Sequence, residues 1–335
     1  MYLFLLPSIQ TQPRLGLLHK LRSLDWLGTV LSVGIYATFA LVFTFGGAVW
    51  PWDDGRMVAL YTVLGVTTAA FGAQQYWALF TDQRNRVFPC HFLRDRTLLL
   101  LFVCSACLGG GLFVTIYYLP LFFQFVRNDN GIDSAVRLLP FIVSYIAGAV
   151  LNGLLMPRWG YYMPWFLVSG VLTTIGGALL YTSSANLSNA HIYGYSILVG
   201  AGMVTYQASY SVAPAKVSPD EIAEAIQFVN VAQNGSILIA LAASNAIFQN
   251  VALSRLLSIL IPVGYSHEDI IAAIAGARSA VLQSAPADVR KAALDVLVQA
   301  IDYTYTLVIA AGGILVVCSL LMRREKLNMH FVAGG

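Results

Sequence analysis

The chain has 335 residues, of which 58% are apolar and only 10% charged, and its formal net charge is +3. A soluble domain carries about 25% charged residues, so the composition argues against a soluble globular protein. The small net charge without a basic stripe argues against a nucleic-acid binder. Four cysteines in a chain of this length exclude a disulfide-rich secreted scaffold. We therefore expect an all-α integral membrane protein that crosses the lipid bilayer many times.

Eight charge-free stretches follow one another along the chain, and each is long enough to cross a hydrocarbon core of roughly 30 Å as a helix. Continuous apolar runs favour helices over membrane β-strands, which alternate over segments of about 10 residues. The predicted spans are Trp26–Gly47, Met57–Phe80, Thr97–Val126, Leu138–Met156, Tyr162–Thr182, His191–Ala215, Ala225–Asn250 and Tyr303–Met322.

Basic residues concentrate in alternate loops. Twelve Lys and Arg lie in one set of loops and three in the opposite short loops, which predicts that both termini are cytoplasmic. The sequon Asn186-Leu187-Ser188 then falls on the outer or lumenal side, so Asn186 is a predicted glycosylation site. We expect a multi-pass protein of the plasma membrane, with a vacuolar or other endomembrane location as the alternative.

Two loops contain helix-start signals. Ser218-Pro219-Asp220-Glu221 predicts a capped helix leading into the seventh span, and capping is favoured over proton carriage for its acids. In the long outer loop 251–302, Ser266-His267-Glu268-Asp269 predicts an amphipathic helix, and Pro286 predicts another that continues into the last span. We interpret this loop as a covering linker, with a gate or lid as the alternative.

Polar side chains are unevenly distributed among the spans. Gln227, Asn230 and Asn234 are spaced i, i+3, i+7, so they share one helix face. Such a face predicts a cavity for an uncharged or weakly polar organic compound, with interhelical hydrogen bonding as the alternative. No acidic residue falls inside a predicted span. The candidate cavity residues are Tyr118, Gln124, Gln207, Gln227, Asn230 and Asn234.

The residue patterns of enzymes are missing from the sequence. The five histidines are scattered and form no HExxH motif, and no glycine-rich phosphate loop with a lysine occurs. Cys104 and Cys107 form a single C-x-x-C inside an apolar stretch, which is more typical of small core residues than of a metal site. We therefore expect no enzymatic activity, no metal and no cofactor.

Several motifs together resemble the fungal fourteen-span drug:proton antiporters of the major facilitator superfamily. Tyr117–Gln124 (YYLPLFFQ) and Ser134–Pro140 (SAVRLLP) resemble the family's YYLPxYFQ helix end and GxRLLP segment. Gly153–Pro164 (GLLMPRWGYYMP) resembles its cytoplasmic loop motif at Gly153, Arg158 and Gly160, and Leu24–Gly28 (LDWLG) resembles the start of its seventh helix.

The resemblance implies a division of the chain. Residues 1–23 would be a cytoplasmic segment with the remnant of a preceding helix, 24–96 two linker transmembrane helices, and 97–335 a C-terminal six-helix bundle with the outer loop 251–302. The family's first six helices, with its membrane-embedded arginine and antiporter motif, have no counterpart here. The implied partner is therefore a missing N-terminal half.

The resemblance also implies a function. We expect a transporter that exports a small organic compound, such as a toxin, drug or secondary metabolite, by alternating access coupled to protons. The sequence would then represent a truncated form of that transporter. The alternative is a non-transporting membrane fragment, or a half-transporter that needs a partner.

Overall fold

The computed structural model describes residues 24–47, 49–82, 85–275 and 285–326. The segment 1–23, including the expected helix remnant, lies outside the described residues. The regular structure of the described part is helical. Its α-helices are α1 (Trp26–Phe45), α2 (Gly55–Trp77), α3 (Arg96–Arg127), α4 (Gly131–Val136), α5 (Leu139–Trp159), α6 (Met163–Tyr181), α7 (Asn189–Gly202), α8 (Ser209–Val212), α9 (Ile222–Leu260), α10 (His267–Ala275) and α11 (Ala287–Leu321).

Seven helical segments of the described part are long and apolar enough to cross a membrane, which confirms seven of the eight predicted spans. The prediction of one continuous helix over His191–Ala215 is wrong, because α7 ends at Gly202 and only short helical pieces follow. The Ser169 hydroxyl of α6 donates to the carbonyl of Gly202. The Tyr206 amide donates instead to the carbonyl of Met203, at 2.9 Å. The Ser169 hydroxyl thus occupies the Gly202 carbonyl, which the Tyr206 amide would bind in a continuous helix, and the helix breaks there.

The helices α9 and α11 extend beyond their predicted ends, so residues 251–260 and 287–302 of the predicted outer loop are helical. Their apolar residues recur at helical spacing and are buried, which explains why both helices continue. Contrary to the expectation that no acid lies in a span, the extended α11 carries Asp302 into the packed interior. The buried residues of the extensions include Ala252, Leu256, Leu260, Ala293, Leu297 and Ile301.

Both predicted caps are present. Ser218 and Glu221 form a capping box, and the hydroxyl and amide of Ser266 donate to Asp269 at 2.7 and 2.9 Å before α10. The helix α10 packs against α9, with Ile270 buried. The interpretation of the outer loop as a cover stays a prediction, and residues 276–284 of it lie outside the described part.

The main core lies among α3, α6, α9 and α11, while α1 and α2 pack on each other and α1 also contacts α9. We call the end of the bundle with α4, α10 and residues 182–188 the outer end, and the opposite one the inner end, after the predicted orientation. Asn186 is exposed at the outer end, in the connection between α6 and α7. Its glycosylation stays a prediction.

Candidate functional site

The broken helix leaves a cavity of about 440 Å³ between α5 and residues 204–215, which include α8, and we call this cavity the α5 cleft. Its polar lining consists of Asn152, Gln207, Tyr210 and Ser211, and its remaining lining is small or apolar. None of the lining residues is charged. The cleft therefore offers hydrogen bonds and apolar surface without a fixed charge.

A second cavity, of about 310 Å³, lies against the inner half of α9 and is called the α9 cleft here. It also has no charged lining residue. The predicted face of α9 is therefore exposed to open volume beside Tyr36 of α1. The lining residues are Tyr36, Gln227, Asn230, Val231, Asn234, Gly235 and Leu238.

A polar cluster links the two clefts. The hydroxyl of Tyr210, which lines the α5 cleft, lies 2.8 Å from Gln233 Oε1 and 3.1 Å from Asn230 Oδ1. Gln233 is buried, and its Nε2 donates at 3.0 Å to the carbonyl of Tyr206 in the helix break. Since a phenol has one proton, Tyr210 donates to one of the two amide oxygens at a time. The cluster therefore holds the broken helix to α9 with an exchangeable hydrogen bond.

The amides predicted on one face of α9 have different partners. Asn234 Nδ2 donates to the carbonyl of Asn230, at 3.1 Å, and to its side-chain oxygen. Gln227 Nε2 donates at 2.7 Å to the carbonyl of Val87, in the segment before α3. Asn230 and Asn234 are exposed to the α9 cleft, whereas Gln227 also ties that segment to α9. The structure thus brings Gln207, Gln227, Asn230 and Asn234 to the two clefts.

Tyr118 and Gln124 lie elsewhere. Tyr118 is only 1% exposed, and its ring packs against Phe248 of α9, at 5.9 Å between centroids. Gln124 Nε2 donates to the Ser134 hydroxyl at 3.1 Å, which ties the outer end of α3 to α4. Neither residue lines the α5 or the α9 cleft, so the six candidates do not form one site.

Asn152 and Tyr210 line the α5 cleft, and Gln233 accepts the Tyr210 hydroxyl, but these three residues are not among the predicted candidates. Asn152 is 3% exposed and lines the α5 cleft, and its Nδ2 has no hydrogen-bond partner within the described part of the chain. This amide donor is itself buried, so it lies beside the cleft rather than open to it. Asn152 is the one amide in its predicted span, a signal that could have singled it out.

The predicted cytoplasmic loop motif lies at the inner end. Gly160 ends α5 with φ +73°, and its amide donates to the carbonyl of Met156 at 2.9 Å. This left-handed conformation favours glycine. Arg158 is exposed beside it, while Gly153 lines the α5 cleft. Gly160 therefore has a clear conformational role, and Gly153 contributes open volume.

Comparison with known proteins gives consistent matches. Residues 78–241 match the sequence profile of the Major Facilitator Superfamily. The chain is 52% identical over 320 residues to efflux pump patC of Aspergillus clavatus. This match covers 95% of this chain and 58% of that protein. It is 48% identical over 327 residues to the MFS-type transporter patC of Penicillium expansum, covering 97% and 60%.

A third relative, from Leptosphaeria maculans, is named the phomenoic acid biosynthesis cluster MFS-type transporter. It is 35% identical over 353 residues, covering 100% of this chain and 56% of that protein. The chain therefore spans less than two thirds of the length of these relatives.

A solved structure shares the fold. It is the crystal structure of a bacterial homolog of the human lysosomal transporter Spinster, in an inward-facing and occupied conformation. The TM-score is 0.51 at 16% sequence identity, and the match covers 88% of this chain and 68% of that one.

Proposed function

We propose that this chain, which has the all-helical membrane fold of the Major Facilitator Superfamily, serves in the proton-coupled efflux of a small organic compound. We assign it to the fourteen-span drug:proton antiporters, and we place it in the plasma membrane. The observation that carries the proposal is the pair of uncharged clefts joined across a broken helix by Tyr210, Asn230 and Gln233. The efflux pumps and the biosynthesis-cluster transporter among its relatives support this function.

The lining of the clefts favours a neutral cargo. Neither cleft has a charged lining residue, so an ionic compound would enter the membrane interior without a counter-charge, which is costly. Gln207 contributes an exposed amide to the α5 cleft, and Ser211 contributes a hydroxyl. The cargo we propose is therefore an oxygen-rich, uncharged toxin or secondary metabolite, held by a few hydrogen bonds on an apolar surface.

The broken helix suggests how cargo binding and movement are linked. Discontinuous helices line the substrate sites of many transporters, and one unit rocks against the other. A cargo carbonyl in the α9 cleft competes with Asn230 Oδ1 for the Tyr210 hydroxyl, because that hydroxyl has one proton. Cargo binding thus weakens the connection between α8 and α9 at the point where the helix is already broken.

A growth assay tests this proposal. The full chain is expressed in a yeast strain lacking its own drug pumps, with the neutral toxins cycloheximide and brefeldin A and the cation rhodamine 6G as probes. We expect tolerance of at least one neutral toxin, and a loss of about tenfold in the Asn230→Ala/Asn234→Ala double variant at equal surface amounts. Gln124→Ala is the matched control, because it removes an amide outside both clefts.

Two outcomes would contradict the proposal. No protection against either toxin, with the chain verified at the cell surface, would remove efflux as the function of this chain. Protection against rhodamine 6G alone would remove the neutral cargo. An unchanged double variant would exclude Asn230 and Asn234 from the site.

A further inference from the structure

Asp302 is a buried carboxylate that the clefts do not use. It lies in α11 at the outer end of the bundle and is only 7% exposed. The Ser183 hydroxyl, just after α6, donates to its Oδ1 at 2.5 Å. Among the described residues, no lysine or arginine lies within 4 Å of the carboxylate. A carboxylate so placed is costly to keep charged, and binding a proton removes that cost.

The basic side chains at the outer ends of the helices packed on α11 have other partners. Arg127 of α3 donates to Asn189 Oδ1 at 3.0 Å and to the Leu187 carbonyl at 2.6 Å. Arg255 of α9 donates to Gln299 and to the Tyr303 hydroxyl. At the end of α6, the Tyr181 ring packs at a tilt against Tyr303, and Ser183, which follows, is the donor already described. None of these groups neutralises Asp302.

Two buried phenols extend inward from Asp302. The Tyr305 hydroxyl, one turn further along α11, lies within electrostatic range of both Asp302 and Tyr118 of α3. Within the described part of the chain, the Tyr305 hydroxyl has no hydrogen-bond partner, although the residue is only 1% exposed. Buried hydroxyls are normally paired. A phenol hydroxyl both donates and accepts, so Tyr305 suits either protonation state of Asp302.

We propose that Asp302 is the proton-binding group that couples transport to the proton gradient. This inference rests on the proposed efflux function. One proton from the outer side converts the carboxylate to the neutral acid, which removes the buried charge. Release of the same proton to the inner side restores the carboxylate, so each cycle moves one proton. The Ser183 hydroxyl holds the carboxyl group in either state.

A purely structural role makes a different prediction. If Asp302 only ties α11 to the end of α6, then Ser183→Ala breaks the same connection and must have the same effect as Asp302→Asn. If Asp302 binds the coupling proton, Ser183→Ala keeps coupling and Asp302→Asn abolishes it. Asp302→Glu keeps a carboxyl group and restores coupling in part. Asp295→Asn, on an exposed face of the same helix, is the matched control.

The transport test uses the purified full chain in proteoliposomes with tritiated cycloheximide. In Asp302→Asn we expect uptake driven by a pH gradient to fall at least about tenfold, while exchange without a gradient stays within about twofold of wild type. Ser183→Ala and Asp295→Asn should retain gradient-driven uptake. Wild-type uptake in Asp302→Asn, or equal losses in Ser183→Ala and Asp302→Asn, would overturn the proposal.

An infrared test separates this inference from the efflux function itself. Infrared difference spectra of the purified chain, recorded while the pH is changed, should show the C=O band of a carboxylic acid that disappears in Asp302→Asn and persists in Asp295→Asn. If this band is unchanged in Asp302→Asn, Asp302 exchanges no proton and the inference fails, whether or not the chain moves cycloheximide. If the wild type moves no cycloheximide but the band depends on Asp302, only the efflux proposal is at fault.

Discussion

At the interface of α6 and α11, a Cβ added to Gly312 would lie 2.5 Å from Thr174 Oγ1 and 2.7 Å from Thr174 N. A Cβ added to Gly153, in the α5 cleft, would meet no atom within 4 Å. Gly170 repeats the first situation, because its added Cβ would lie 2.7 Å from Val316 N. Glycine therefore brings two backbones together in the first region, whereas in the second it leaves a volume empty.

This difference shows how the bundle separates stability from function. Lipid tails are as apolar as the helices, so close packing of small residues, rather than burial from water, holds membrane helices together. The α6–α11 interface uses that packing. The region around α8 instead has two cavities, a broken helix and an exchangeable Tyr210 hydrogen bond. Substitutions at the α6–α11 interface should therefore reduce stability most, and substitutions around the two clefts should reduce transport most.

The largest effect on stability is expected from Gly312→Ala. The added methyl group would clash with the backbone of Thr174, so the free energy of unfolding should fall by about 1–3 kcal/mol. The neighbouring Gly313→Ala is a matched control, since its Cβ meets no atom within 4 Å. Denaturant unfolding in detergent micelles measures both. Equal losses of unfolding free energy in Gly312→Ala and Gly313→Ala would contradict the role given to close packing between α6 and α11.

Tyr210→Phe tests the region of the two clefts. The change leaves the buried Gln233 Oε1 without its donor, so we expect the free energy of unfolding to fall by about 1 kcal/mol, less than for Gly312→Ala. Growth on cycloheximide should fall more than stability does, because the link between the clefts is lost. Tyr76→Phe, which removes an exposed hydroxyl, should change neither measurement. A stability loss larger than that of Gly312→Ala would reverse the assignment of the two regions.

The spans could be predicted from the sequence, and the helix break could not. Seven spans follow from runs of charge-free residues, because a membrane helix must satisfy its own backbone. The break after Gly202 depends on the Ser169 hydroxyl, which comes from another helix. Glycines near position 202 permit a break, but only tertiary packing determines whether it occurs.

The candidate site, too, could be predicted from the sequence only in part. Helical periodicity was enough to place Asn230 and Asn234 together on one face. The sequence does not show which helix that face meets, and this is why Tyr118 lies in the core instead of a cleft. Asp302 could not be placed in a span for another reason. A search for charge-free stretches always ends a predicted span at a charged residue, so Asp302 was assigned to the loop. Burial of a charge at a helix end cannot be read from composition.

The smallest effect is expected where the two regions meet at the inner end. Lys216, which follows α8, donates to Glu325 Oε1 at 2.6 Å, and Glu325 follows α11. This hydrogen bond is the main reason that the pKa of Glu325 lies below its ordinary value of 4.5. A lowered pKa in the folded state stabilises the fold above the unfolded pKa, and this contribution is lost as the pH falls through the folded value.

Glu325 is 39% exposed, so Lys216→Met should lower the free energy of unfolding by only about 0–1 kcal/mol near neutral pH. The difference from wild type should shrink as the pH falls below the ordinary glutamate pKa of 4.5, because protonated Glu325 no longer attracts the ammonium group. Lys326→Met, which removes another exposed lysine at the inner end, should show no such pH dependence. A difference that persisted in acid would mean that the Lys216 stem packs between the regions. In that case the regions would be joined by apolar contact rather than by a screened ion pair, and motion of the broken helix would strain α11 directly.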